Sequence, residues 1–240
     1  MARMPRLFVE DCAQHIVQRG NNRAVCFYTD ADYAFYCQKL KESAEKYTVK
    51  IHAFVLMTNH VHLLATPSDA AGIAKMMQAL GRNYVRYINI TYKRTGTLWE
   101  GRYKASLVAS DDYFFAVSRY IELNPVRANM VSHPSEYPWS SFRHNGMGFE
   151  IGLISEHGLY RKLGGTPSAR VIAYRNLFVQ ATSASLIEEI RLCTNKEWVI
   201  GKKEFIDQIE EALGRKVYLR QWGGDRKSGK RKNISSTLTP

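Results

Sequence analysis

Cysteine is scarce and scattered in this chain. Its four cysteines, Cys12, Cys26, Cys37 and Cys193, form no CxxC pair and no dense framework. That argues against a cysteine-built zinc site and for a reducing compartment over secretion. Long apolar runs are missing too: nothing reaches the length of a bilayer-crossing segment, and the start of the chain shows no signal-peptide pattern. Acidic residues are in deficit, with 22 Asp and Glu against 34 Lys and Arg, for a formal charge of +12. A surplus of that size suits a polyanionic partner, and with the membrane option weakened, nucleic acid leads. The plainer reading is a basic protein with no such role. No internal repeat is visible. At 240 residues and 45% hydrophobic content, the chain can bury a core without disulfides, as one large domain or a medium one plus a smaller one.

What is present reads first as mixed α and β. Residues 15–18 are strand-like and end at Gly20-Asn21-Asn22, a strong turn signal, with a second short strand expected over 24–28. Asp30 can cap a helix to about residue 47. Two β-branched-rich runs, 49–57 and 60–65, joined at Thr58-Asn59, read as a central hairpin. A helix is expected over 71–92, where Ile73, Met77, Leu80, Tyr84 and Ile88 recur at helical spacing. A strand near 103–109 follows, then a helix over 111–124 capped by Ser110 and ended by Pro125. This order predicts an α+β fold, a largely antiparallel sheet covered by helices. We expect a first domain over 1–145, a helical accessory region over 146–214 with helices near 153–163, 167–180, 185–193 and 203–213, and a basic, solvated tail over 215–240.

His60-Val61-His62 is the most informative triplet. In a strand, residues i and i+2 point to one face about 6.5–7 Å apart, so both imidazoles can converge on one divalent cation. The plainer alternative is a pair of partly buried histidines. Two neutral imidazoles suit Zn, Mn, Fe, Ni or Cu, and a third, oxygen ligand moves the preference toward Mg or Mn. Asn124 can be that ligand. Tyr120 lies one helical turn before it and so presents its hydroxyl on the same face, with Tyr113 as a reserve candidate two turns earlier. A phenol of pKa about 10 is only about 0.1% ionised at neutral pH, so something must activate a tyrosine nucleophile or its target, and a metal can polarise the phosphate and align it. Attack by Tyr120 would leave a 5′-phosphotyrosine and a free 3′-OH, keeping the bond energy for rejoining.

At this point a resemblance enters. His60-Val61-His62 on a strand, followed by Tyr-Ile-Glu-Leu-Asn-Pro-Val-Arg at 120–127, resembles the single-tyrosine HUH transposases, and more narrowly the bacterial REP-associated tyrosine transposases. Residues 15–23, Met57-Thr58-Asn59 before the histidines, Leu98-Trp99-Glu100-Gly101-Arg102-Tyr103 and Pro138-Trp139-Ser140-Ser141-Phe142 are similar to that group's recurring segments, so the likeness spans about 1–145. The resemblance implies a ferredoxin-like catalytic domain and a divalent metal, Mg2+ or Mn2+, on His60, His62 and Asn124. It also implies a Tyr120 nucleophile and, as substrate, single-stranded DNA bearing the hairpins of palindromic repeats. A cytoplasmic, nucleoid-associated bacterial enzyme follows, with monomer or homodimer left open.

Cations interleaved with aromatics are the usual means of gripping a single strand. Arg3, Arg6, Arg19, Arg23, Arg82, Arg86, Arg102 and Lys104 are the candidate phosphate contacts, with Lys93 and Arg94 beside them. Tyr84 and Trp99 suit core packing as well as base stacking. Two other readings stand beside the transposase: a hairpin-binding regulator that does not cut, and a metal-dependent nuclease that uses water and forms no adduct.

Overall fold

In a computed structural model the described residues are 7–109 and 112–218. Arg3, Arg6, the Ser110 cap and the tail beyond residue 218 lie outside them. The described residues form four strands, buried along most of their length on both faces: β1 (Gln14–Arg19), β2 (Val49–Met57), β3 (His60–Pro67) and β4 (Lys104–Leu107). They form one antiparallel sheet in the order β2-β3-β1-β4. With α1 (Asp30–Lys46) between β1 and β2 and α2 (Gly72–Thr91) between β3 and β4, this is the expected ferredoxin-like α+β plan.

The period of two sorts the sheet's side chains. Ile16, Leu63 and Ala65 point into a core made with α1 and α2, where Tyr36, Leu40, Met76, Leu80 and Tyr84 are buried. Their strand neighbours Ala13, Val55 and Leu64 point the other way, into a second core shared with α3 (Asp112–Glu122) and with Ile190 and Cys193. His15, His60 and His62 take that second face by the same alternation. Helix α1 begins at the residue expected to cap it, one position early: Thr29 is the N-cap, and the Asp32 carboxylate accepts from the backbone N–H groups of Tyr28 and Thr29, closing a capping box.

Among the described residues six further α-helices follow: α4 (Asn124–Arg127), α5 (Phe142–Asn145), α6 (Gly158–Arg161), α7 (Pro167–Asn176), α8 (Ala184–Lys196) and α9 (Lys203–Leu213). They wrap back onto the sheet. Along β2, Leu56 N–H donates to the Trp139 carbonyl and Ser155 N–H to that of Ile51. On the opposite edge Ile200 bridges Val108, exchanging backbone hydrogen bonds with Leu107 and Ala109.

Three expected elements differ. Residues 24–28 are not a strand, because the N–H groups of Cys26 and Phe27 both donate to the Thr58 carbonyl and cap the β2–β3 turn. Gly20 permits this close return: a Cβ there would collide with the Ala24 carbonyl and the Cys26 sulfur. The helix expected to reach Asn124 breaks after Glu122, and Pro125 opens the next turn, α4, rather than ending helical structure, since proline is at home in a first turn. The helix expected over 153–163 shrinks to α6, because Ile154 bridges Ile51 on the sheet edge.

Candidate active site

Strand β3 sets His60 and His62 on one face, with ring centroids 5.0 Å apart. Each ring is held by its Nδ1 atom. His60 Nδ1 lies 2.6 Å from Asn59 Oδ1, an oxygen that can only accept, so Nδ1 carries the proton and Nε2 keeps its lone pair. His62 Nδ1 lies 2.9 Å from His15 Nε2 on β1, and the two imidazoles stack at 5.1 Å. Burial holds these imidazoles neutral: it lowers His15 to about 3, His60 to about 4 with help from the Arg19 charge, and His62 well below the usual range. Neutral imidazoles with a free ring nitrogen are the form that binds a metal. Among the described residues no group of three or more His, Cys, Asp or Glu side chains could hold a metal ion.

Tyr120, near the end of α3, packs edge-on against both stacked histidines, at 5.7 Å from His15 and 5.8 Å from His62. Its ring is covered on a face by the Arg127 guanidinium at 4.4 Å. Arg127 also donates to the Tyr120 carbonyl, so α4 folds back over the last turn of α3. Burial lowers Arg127 to about 10, which still leaves it cationic at neutral pH. Asn124 Nδ2 donates to the same Tyr120 carbonyl at 2.9 Å and to that of Ile121 at 3.3 Å. Thus the i, i+4 pairing survives the helix break by way of a side-chain clamp, and Oδ1 is the Asn124 atom not engaged in it. The reserve Tyr113 stands at the other end of α3.

Two residues beyond Tyr120, Glu122 is fully buried and accepts from Ser141 Oγ at 2.5 Å, Asn145 Nδ2 at 2.9 Å and Tyr174 Oη at 2.9 Å. Burial raises this carboxyl to about 7, against the pull of those three donors. The bonds anchor α3 to α5 and α7.

The cations divide by place. Arg19 stands opposite His60 in the β1–β3 register, and Lys104 shares a row with Val17 and His62. Arg23 follows the Gly20 turn, where its carbonyl accepts from Asn59. Arg102 is exposed in the loop whose Trp99 bridges Gly20. These four surround the histidine end of the sheet. Arg82 and Arg86 are exposed on α2, across the sheet from Tyr120. Tyr84 and Trp99 are core residues. Sequence reasoning assigned no part to His15, Arg127 or Glu122. The last two stand inside the 120–127 segment, whereas His15 is tied to the site only by strand pairing.

No curated protein matches the chain. Among solved structures, a REP-associated tyrosine transposase bound to a REP hairpin superposes with a TM-score of 0.51 at 16% identity, covering 65% of this chain and 93% of that one. That likeness bears on the fold. A candidate transposase of Deinococcus radiodurans aligns at 20% identity over 50% of this chain and 96% of its own, with a TM-score of 0.37. Among the described residues no helix is long and apolar enough to cross a membrane. The model of the family "Transposase IS200 like" matches residues 8–124, the stretch from the start of the sheet to the amide beside Tyr120. Over those residues, just under half of its length, the chain is similar to the IS200-like transposases.

Proposed function

We propose that this protein is a transposase that cuts and rejoins single-stranded DNA through a covalent bond to Tyr120, at sites flanked by hairpins of palindromic repeats. The observation that carries the reading is the packing of Tyr120 against His62, which, like His60 beside it, has its Nδ1 engaged and its Nε2 left for a cation. His60 and His62 with the amide oxygen of Asn124 fit a hard divalent ion, Mg2+ or Mn2+, which when bound polarises the scissile phosphate and neutralises charge on its oxygens. In the first step the Tyr120 oxygen bonds to phosphorus, the 3′-oxygen leaves and takes up a proton, and the phenol proton is lost to solvent. Attack by a 3′-OH on the phosphotyrosine reverses the step and needs no nucleotide cofactor.

Arg127 supports this chemistry by holding a positive charge against the Tyr120 ring. Because Tyr120 is only 7% exposed, a phosphodiester meets it after Arg127 or the end of α3 moves aside. Arg19, Arg23, Arg102 and Lys104 lead the strand to the site. Arg82 and Arg86, with Arg3 and Arg6, add phosphate contacts farther along the DNA. In this reading residues 1–145 carry the chemistry, 146–214 support it, and the basic tail adds salt-sensitive affinity. The hairpin bound by the REP-associated relative is the substrate class to try first, in the cytoplasm of a bacterium.

The test is a denaturing gel with a labelled single-stranded hairpin library and Mg2+ or Mn2+. A metal-dependent covalent adduct in the wild type, absent from Tyr120→Phe and His60→Ala, is the expected result. Binding without an adduct across metals and flanks would leave a hairpin-binding regulator, and cleavage without an adduct a water-using nuclease.

A further inference from the structure

A line of hydrogen bonds runs from α8 into the histidine pair, and its direction can be worked out atom by atom. Thr194 Oγ1 donates its one hydrogen to the Ile190 carbonyl at 2.6 Å, one turn back in the helix. The same oxygen lies 2.9 Å from His15 Nδ1. With its hydrogen already committed, the hydroxyl can only accept from His15, so His15 is protonated on Nδ1. His15 is fully buried, and among the described residues no carboxylate faces it, so the ring is neutral and its Nε2 is an acceptor. His62 Nδ1, at 2.9 Å from that Nε2, must therefore be the donor, which leaves the lone pair of His62 on Nε2. Each link fixes the next, and none requires a solvent molecule.

We propose that Thr194 and His15 are positioning residues: through this relay the accessory helix α8 sets the tautomer and ring orientation of His62, keeping its Nε2 ready to bind a divalent cation. The proposal deepens the metal reading of His60 and His62 and rests on it for its functional consequence. Its structural half, the tautomer, stands without the metal. Partners that orient a ligating histidine through its second nitrogen commonly change metal affinity about 10–100-fold when removed. The two histidines are served differently. His60 takes its orientation from its own neighbour, Asn59. His62 takes it from Thr194 by way of β1, through two bonds that span 47 and 179 positions of sequence.

The relay is tested on the full chain with Thr194→Val, which keeps the shape and removes the hydroxyl, and Thr194→Ser, which restores it. Long-range nitrogen–proton NMR of the histidine rings, recorded without metal, reads the tautomers directly. The expected spectrum shows His15 and His62 protonated on Nδ1 in the wild type and in Thr194→Ser, with that pattern lost in Thr194→Val. Titration with Mn2+, followed by its electron paramagnetic resonance signal, should show affinity about tenfold weaker in Thr194→Val and restored in Thr194→Ser. A His62 protonated on Nε2, or a tautomer indifferent to Thr194→Val in a variant whose spectrum is otherwise native, would overturn the relay. Absence of Mn2+ binding in the wild type would instead sink the metal reading, and the tautomer pattern would then decide the relay alone.

Discussion

The two faces of the sheet use the same strands for different ends. Toward α1 and α2, β1 and β3 offer Ile16, Val61, Leu63 and Ala65, and the helices answer with Tyr36, Leu40, Met76, Leu80 and Tyr84. That face gains from burial of apolar area and asks little of hydrogen bonding. Toward α3 and α8, β1 and β3 offer His15, His60 and His62 beside Leu64, and β4 adds the buried Ser106. Polar atoms there need partners, and they find them in Thr194, Asn59 and the Cys193 carbonyl. One face therefore stores stability and the other stores orientation. A pleated strand delivers both because neighbouring residues never compete for the same side.

The sharpest separation should come from a pair of substitutions. Tyr120→Phe is expected to reduce covalent adduct to background while moving stability by under about 1 kcal/mol, since it removes one hydroxyl from a well-packed ring. Leu80→Ala on the other face should cost about 2–5 kcal/mol in denaturant unfolding and leave adduct formation intact at low temperature. If Leu80→Ala abolished the adduct while still folded, the division between faces would be wrong.

Acid should strike the histidine-rich face next. His52, bonded to the Ser155 carbonyl and Thr66 hydroxyl, is lowered to about 4 by burial. A histidine that is neutral when folded takes up a proton on unfolding below about 6.5. Its contribution is complete above that pH and is lost as pH falls toward 4, for up to about 3 kcal/mol. Glu122 has the opposite sign: with its folded pKa raised to about 7, its contribution is present below 4.5 and lost as pH rises through 7. His15, His60 and His62 add to the His52 trend, so the melting temperature should fall between pH 6.5 and 4. A flat profile there would mean that these rings are solvated.

Tyr174→Phe should have a smaller effect, about 1–3 kcal/mol, as Glu122 loses one of three donors. The cost should be larger at pH 8 than at pH 5, because the ionised carboxylate needs that donor more. Thermal melts at the two pH values decide it. Smallest of all, the double substitution Arg82→Ala and Arg86→Ala should weaken single-strand binding modestly. It should lower the salt slope of binding by about one for each phosphate no longer neutralised, and leave the cleavage rate of bound DNA unchanged. A change in that rate would place α2 at the cut site.

Much of this plan was legible from residue order. The β2–β3 hairpin, the periodicity of α1 and α2, and the His60, His62, Tyr120 and Asn124 set all rest on local patterns a few residues long. Of that set the structure brings the rings of His62 and Tyr120 to 5.8 Å, while Asn124 is tied to the Tyr120 carbonyl. Residues 24–28 misled because an apolar run after a turn signal says nothing of which N–H groups find a partner, and here two were taken by Thr58. His15 was hidden for a related reason. Its polar face is one of several in β1, and only the register that sets it beside Leu64, together with a threonine 179 positions away, gives it work.

The wrapping of the later chain around both borders of the sheet has a consequence for association. An open strand border is a template on which another chain can add, by swapping or by aggregation. Here β2 is occupied along its outer side by Trp139, Ser141 and Ser155, and β4 by Ile200. A second copy therefore has to meet this one through helices or loops rather than by extending the sheet. A fragment cut after residue 145 would lack the Ser155 and Ile200 pairings and leave sticky borders on both sides, so its failure to stay dispersed would reflect uncovered backbone rather than a damaged active centre.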